Sequence, residues 1–217
     1  MPVQRSVASG SREPFPAPSA YAAPVELPRG RGPSGRADVS VRPAAAADAE
    51  AIAHVQLVTW RTAYRALLPA EVLDDWDDDA AAASWRAAVT TPPTSGHGVL
   101  VALDSGAVVG FAAYAPTDDP DAADLATLLV EPRWGRRGHG SRLLAAVADL
   151  AAERGIRSLQ TWVPEDDAVT ARFLDSAGWA PDGWTRTLDT GAAPLSQLRW
   201  TTLLDDDDHD DEERANP

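Results

Sequence analysis

Seventeen residues constrain this chain more than any others: Leu128-Leu129-Val130-Glu131-Pro132-Arg133-Trp134-Gly135-Arg136-Arg137-Gly138-His139-Gly140-Ser141-Arg142-Leu143-Leu144. An apolar run stops at Pro132, glycines follow at 138 and 140, and a helix-forming stretch starts at once. Glycines in such a loop let successive backbone N–H groups turn toward one centre, and the helix adds the positive end of its dipole. The segment is therefore expected to hold an anion. Arg136 and Arg137 fit it for phosphate, which a guanidinium grips as a planar fork.

Other nucleotide-binding loops use the same parts. A Walker-type loop ends in Gly-Lys-Ser/Thr, and all 19 basic residues here are arginine. A dinucleotide fingerprint places its glycines after the first strand of a βαβ unit, whereas this loop follows the fourth predicted strand. A plain strand-to-helix turn without a ligand stays open.

Around the loop, hydrophobic patterning predicts the order β α α β β β α β α β β, an α/β domain with a mixed sheet. Val39-Ser40-Val41-Arg42 reads as a strand. The run from Ala44 to about Tyr64 reads as a helix, with Ile52, Val55, Leu57 and Val58 at helical spacing. Leu67-Leu68-Pro69 marks a break before a second helical stretch that includes Val72, Leu73, Trp76 and the segment from Ala80 to Val89. Asp104-Ser105-Gly106 turns between the strands Gly98 to Leu103 and Ala107 to Tyr114. A strand from Leu125 to Val130 leads into the loop, and a helix runs from Gly140 to Arg154, stopping at Gly155. Then come a strand from Ser158 to Val163, a short helix from about Ala168 to Ala177, and a hairpin of strands near Trp184–Leu188 and Leu195–Leu203.

A length of 217 residues leaves room for one domain, expected over residues 38–204. Residues 1–37, rich in Pro, Gly, Ser, Ala and Arg, read as a disordered leader. Residues 205–217 read as a disordered acidic tail, with eight carboxylates around His209 between Asp205 and Glu213. A net charge of −14 argues against a nucleic-acid binder. No stretch approaches the roughly 20 apolar residues of a membrane span, and no apolar signal core opens the chain, so a cytoplasmic protein is expected. Without cysteine there is no disulfide, thiolate metal site or cysteine nucleophile, and no metal is expected.

The loop and its flanks resemble the GNAT family of acyl-CoA-dependent N-acetyltransferases, whose pyrophosphate loop reads Gln/Arg-x-x-Gly-x-Gly/Ala after a strand ending Val-x-Pro. Gly138 and Gly140 match the two small positions, Val130-Glu131-Pro132 the strand exit, and Ser141 to Leu144 the helix start. The element order over about residues 38–204 and the stretch from Trp60 to Pro69, which is similar to the family's first-helix exit, extend the match. The resemblance implies a GNAT-type mixed, splayed central β-sheet flanked by helices, with acetyl-CoA as co-substrate. Its pantetheine arm would pair with main-chain groups of Leu128 and Val130. Its pyrophosphate would sit on the amides of Arg136, Arg137, Gly138, His139, Gly140 and Ser141. A backbone N–H near Val130 would polarise the acetyl carbonyl, and Asp167, where the family often has Asn, would also touch the cofactor. The implied reaction is direct acetyl transfer, through a ternary complex, to an amine on a small molecule or peptide, by a monomer or homodimer. A non-catalytic acyl-CoA-binding or regulatory module is the alternative.

Three positions depart from the family pattern. Gly135 replaces the motif's Gln or Arg. Leu174 stands where a tyrosine commonly protonates the leaving thiolate, and Trp162 where some relatives carry a glutamate base. Candidate replacements are few. Asp118, Asp119, Asp121 and Asp124 precede or open the strand beside the thioester, where a carboxylate could activate an amine through water, although the cluster reads first as a solvated loop. Tyr114, at the end of the preceding strand, is the other catalytic candidate. His54 and His97, Arg61 and Arg65, and an aromatic pocket from Trp60, Trp76 and Trp85 are weaker possibilities. The acidic balance of the chain favours a cationic acceptor such as a polyamine, an aminoglycoside-like molecule or a lysine-bearing peptide.

Overall fold

The computed structural model describes residues 5–6, 39–63, 65, 73–189 and 194–204. The acidic tail, the break at Leu67-Leu68-Pro69, Tyr64, Val72 and most of the leader lie outside the described residues. Within the leader, Arg5–Ser6 (β1) pair in parallel with Trp184–Thr185. The elements that follow are β2 (Val39–Pro43), α1 (Ala49–Ala63), α2 (Asp78–Thr90), β3 (Gly98–Asp104), β4 (Ala107–Pro116) and β5 (Ala122–Val130). After the glycine-rich loop come α3 (His139–Ala152), β6 (Ser158–Pro164), α4 (Ala168–Asp175), β7 (Ala180–Asp189) and β8 (Pro194–Leu203). One mixed sheet in the order β1-β7-β8-β6-β5-β4-β3-β2 results.

Two apolar layers hold helices to this sheet. On one face the buried side of α3, Leu143, Val147 and Leu150, meets Leu100, Leu125, Leu159 and Trp200, with Leu174 of α4 and Trp179 closing the layer. On the other face Ile52 and Val55 of α1 and Trp85 of α2 pack over Val101, Phe111 and Leu129. Trp85 meets Phe111 edge to face at 4.8 Å, and its indole N–H donates to Gln56 Oε1 at 2.7 Å. Helix α2 starts where the Asp77 carboxylate accepts from the Ala80 N–H at 2.9 Å, a cap that satisfies one orphan donor of the first turn. Upstream, Asp48 accepts from Ala45 N–H and pairs with Arg42 at 2.6 Å, so Arg42 anchors the entry to α1.

The sheet departs from the sequence reading at β7, which begins at Ala180 rather than near Trp184, and at β5, which begins at Ala122 rather than at Leu125. Asp124 interrupts the apolar run, so periodicity starts the strand too late. Pairing on both sides carries it three residues earlier, with Ala122–Asp124 parallel to Ser158–Gln160 and Ala123–Leu125 opposite Pro116–Tyr114.

Candidate functional site

The β5–β6 pairing ends at Asp124–Gln160, although both strands continue, β6 turning to β8 alone. The two strands therefore diverge in the middle of the sheet. The register of β5 against β4 jumps from Leu125 to Thr127, which makes Ala126 a bulge residue, and Ala126 is exposed at the centre of an otherwise covered strand. The Glu131 N–H donates to Val109 O at 2.9 Å, and the Leu129 carbonyl points at β4, where a Cβ on Gly110 would lie 2.8 Å from it. Backbone groups alternate along a strand, so those of Leu128 and Val130 turn the other way, into the gap. An extended ligand could add there as a strand would.

At the end of that open edge lies the glycine-rich loop. Pro132–Trp134 form one 3₁₀ turn, Arg136 takes φ +62°, and Gly138 takes φ +79° as the residue before α3. That left-handed conformation favours glycine, and glycine leaves the helix without a side-chain cap. The Arg142 N–H bonds to Gly138 O, but the amides of His139, Gly140 and Ser141 precede the first i→i−4 bond of the helix and have no capping side chain. They form an anion cradle. Arg137 stacks 4.8 Å from the Trp134 ring centroid, and Arg142 Nη1 donates to Arg137 O, which braces the loop. Arg136 and Ser141 are exposed. His139 turns inward instead. Its ring is buried, with Nε2 3.2 Å from Asp104 Oδ2, so only its backbone faces the cradle. Gly140 allows close packing, since a Cβ there would lie 3.4 Å from Phe173.

Asp124 sits at the fork. The sequence reading of its cluster as a solvated loop fits Asp118, Asp119 and Asp121, which are exposed, but not Asp124, which lies inside β5. Its Oδ1 is buried without a partner. Burial raises its pKa to about 6, opposed by the nearby Arg186 guanidinium, a hydrogen bond from Gln160 and the charge of Arg199. A carboxylate so placed is half ionised near pH 6 and mostly ionised at neutral pH, where it accepts a proton more readily than an ordinary aspartate.

The other candidates scatter. Tyr114 packs into the α3 face of the sheet, beneath Arg154 at 5.4 Å and against Gly98, where an added Cβ would lie 2.3 Å from the phenol oxygen. Asp167 caps α4 with both oxygens, accepting from Thr170 N–H and Oγ1–H, so its side chain is engaged locally. Leu174 is buried. His54 and Arg65 are exposed, His97 Nδ1 is 2.7 Å from Thr94 Oγ1, and Arg61 donates to Leu73 O. Trp85 belongs to the core, while Trp60 and Trp76 meet edge to face at 5.4 Å.

Four residues of the C-terminal half escaped the sequence reading. Gln160 pairs with Asp124, Arg199 lies opposite Trp162, and Arg186 lies opposite Gln197, so their side chains share one sheet face. Period-two alternation on β7 and β8 could have put the two arginines on one face, but strand order alone brings that face to Asp124. Next to it opens a depression of about 970 Å³, lined among others by Thr117, Asp118, Gln160, Arg199 and Thr201. Among the described residues no group of three or more His, Asp or Glu could hold a metal ion, and no helix is long and apolar enough to cross a membrane.

Residues 54–179 match the family model described as the acetyltransferase (GNAT) family. The chain is 33% identical over 134 residues to the uncharacterized N-acetyltransferase YuaI of Bacillus subtilis, which covers 59% of this chain and 73% of that protein. Among solved structures, yncA of Salmonella typhimurium with its cofactor acetyl-CoA superposes with a TM-score of 0.59 at 20% identity, covering 81% of this chain and 99% of that one. The PaiA N-acetyltransferase of Thermoplasma acidophilum in complex with coenzyme A superposes with a TM-score of 0.58 at 17% identity, covering 74% and 97%.

Proposed function

Because the chain belongs to the GNAT acetyltransferase family, we propose that it transfers an acetyl group from acetyl-CoA directly to an amine, with Asp124 as general base. The observation that carries this reading is a buried carboxylate of raised pKa at the point where two central strands part. Acetyl-CoA supplies an acyl group activated as a thioester, and the cleft fits it. The backbone groups of Leu128 and Val130 meet its amide-bearing arm, and the free amides of residues 139–141, with Arg136 and Arg137, meet its pyrophosphate.

Each step then falls to a named group. Asp124 takes the proton of the acceptor ammonium, directly or through one water, and so frees the nitrogen lone pair. The nitrogen attacks the acetyl carbon, the C–S bond breaks, and the thiolate leaves. A backbone N–H at Leu128 or Val130 faces the carbonyl oxygen and stabilises the charge that develops on it. Leu174 offers no proton, so the second proton of the acceptor nitrogen, shed as the amide forms, reaches the thiolate through water at the open edge.

Asp124→Asn tests the reading. It should leave acetyl-CoA affinity by calorimetry unchanged and lower kcat by about 100-fold or more, measured as thiol release with amines. In the wild type kcat/KM should rise with pH through about 6, as Asp124 ionises, and the variant should lose that limb. An unchanged rate in the variant would remove Asp124 from the mechanism. Leu174, buried where the family commonly has a proton donor, favours one other reading, a non-catalytic acyl-CoA binder. Tight binding with no thiol release across a broad panel of amines would establish it.

A further inference from the structure

Arg186 has a role that acetyl transfer in general does not require. Its guanidinium lies 4.4 Å from the centroid of the Trp162 ring, and its Nε donates to Gln197 Oε1 at 2.6 Å. Stacking fixes the plane of the group and the bond to Gln197 fixes its rotation, so both terminal nitrogens stand in a set direction. Neither donates a hydrogen bond among the described residues. Arg199, its neighbour on the same face, differs: Nε and Nη2 bind Asp182 and Nη1 binds Gln160. Arg199 is neutralised and spent, whereas Arg186 is oriented and open.

The charges around Asp124 show what is missing. Arg186, Arg199, Asp124 and Asp182 are the charged side chains on this part of the sheet face, with the exposed Asp118 and Asp119 lining the adjoining depression beside Arg199, and the Arg199–Asp182 pair cancels. Once Asp124 has taken the acceptor's proton, a half-buried Arg186 remains with no counter-charge. Leaving a desolvated cation unpaired is unfavourable, so an anion brought by the acceptor would complete the site. Spacing limits where that anion lies. Gln160 is opposite Asp124 and Trp162 is two residues further along β6, on the order of 7 Å. An amine and an oxyanion separated by a few bonds fit between them.

We propose that the acceptor is a small amino acid and that Arg186 binds its carboxylate through a two-nitrogen fork while Asp124 receives the proton of its amine. This rests on the acetyl-transfer reading and narrows it, against the polyamines, aminoglycoside-like molecules and lysine-bearing peptides that overall charge suggested. Arg186 is a specificity-determining residue here, and Trp162 and Gln197 are its positioning residues.

The test measures thiol release from acetyl-CoA by the full chain, with the common free amino acids and with the amine left when each loses its carboxylate. The acids should react with a kcat/KM about 10- to 100-fold or more above their decarboxylated partners. Compared at a pH above the ascending limb, Arg186→Gln should raise KM for the acids by about the same factor, well beyond any change for the carboxylate-free amines, and leave acetyl-CoA affinity unchanged. Arg186→Lys should recover part of the loss. Loss of the guanidinium shifts the ascending pH limb upward for both kinds of acceptor, because Arg186 holds the Asp124 pKa down; if that shared shift were the whole effect, with no rise in KM confined to the acids, the proposal would fall. Turnover on carboxylate-free amines as good as on the acids overturns it while leaving acetyl transfer intact. Acetyl-CoA binding with no turnover on either set removes both.

Discussion

The role proposed for Asp124 sets chemistry against the stability of the fold. Burial raises its pKa from 3.8 to about 6, so between those values the folded chain holds a proton that the unfolded chain releases. The contribution of Asp124 to stability is therefore greatest below about pH 4, falls as pH rises toward 6, and stays at the lower level above it. A gap of about two units corresponds to roughly 3 kcal/mol. Asp124→Asn keeps the shape and removes the charge, so thermal denaturation should find it more stable than the wild type by up to about 3 kcal/mol at pH 8 and about equal at pH 3.5. A variant destabilised at both pH values would mean that the carboxylate makes bonds stronger than its burial penalty. Gained stability with lost turnover is the expected mark of a group kept for function.

Among the elements, the start of α3 carries the clearest trade. A helix of 14 residues with a hydrophobic inner face could be capped by Ser, Asp or Asn, yet its cap is Gly138 at φ +79°. A side chain at that angle is strained by about 1 kcal/mol, and its Cβ would lie 2.9 Å from Arg142 Nη1. Gly138→Val should weaken acetyl-CoA binding at least tenfold by calorimetry while costing on the order of 1–2 kcal/mol in denaturant unfolding. An unaltered affinity in a folded variant would show that the cradle holds something else. The helix thus forgoes a side-chain cap and leaves its first amides without one.

In the whole molecule, one sheet with an apolar layer on each face is parted at its centre, and the parting exposes Ala126 and the backbone edge of β5. An open edge is a weak point unless something fills it. A ligand that lies along it joins the two halves of the sheet, and binding only to the folded state adds stability by mass action. Acetyl-CoA at 100 times its Kd should therefore raise the unfolding free energy by about 2.7 kcal/mol, read as an upward shift in Tm. No shift with saturating acetyl-CoA would argue that the parted strands are closed in solution.

Sequence alone determined those features that depend on neighbours along the chain. The glycines at 138 and 140 after a proline-terminated strand specify a helix start with a left-handed glycine and no side-chain cap, because local backbone conformation produces it. Apolar spacing gave α3 and the β3–β4 hairpin to within two residues at each end and found α1, though α1 begins at Ala49 rather than Ala44, because one face of each must be covered. Asp124 could not be read as buried, because its neighbours in the chain are loop carboxylates and only pairing with β4 and β6 draws it inside. Nor could the sequence bring Arg186 to it. They are 62 residues apart, and the order β7-β8-β6-β5 sets them on one face. Local propensity acts over a few residues, while charges meet across strands whose order is decided by how the whole sheet buries its two faces.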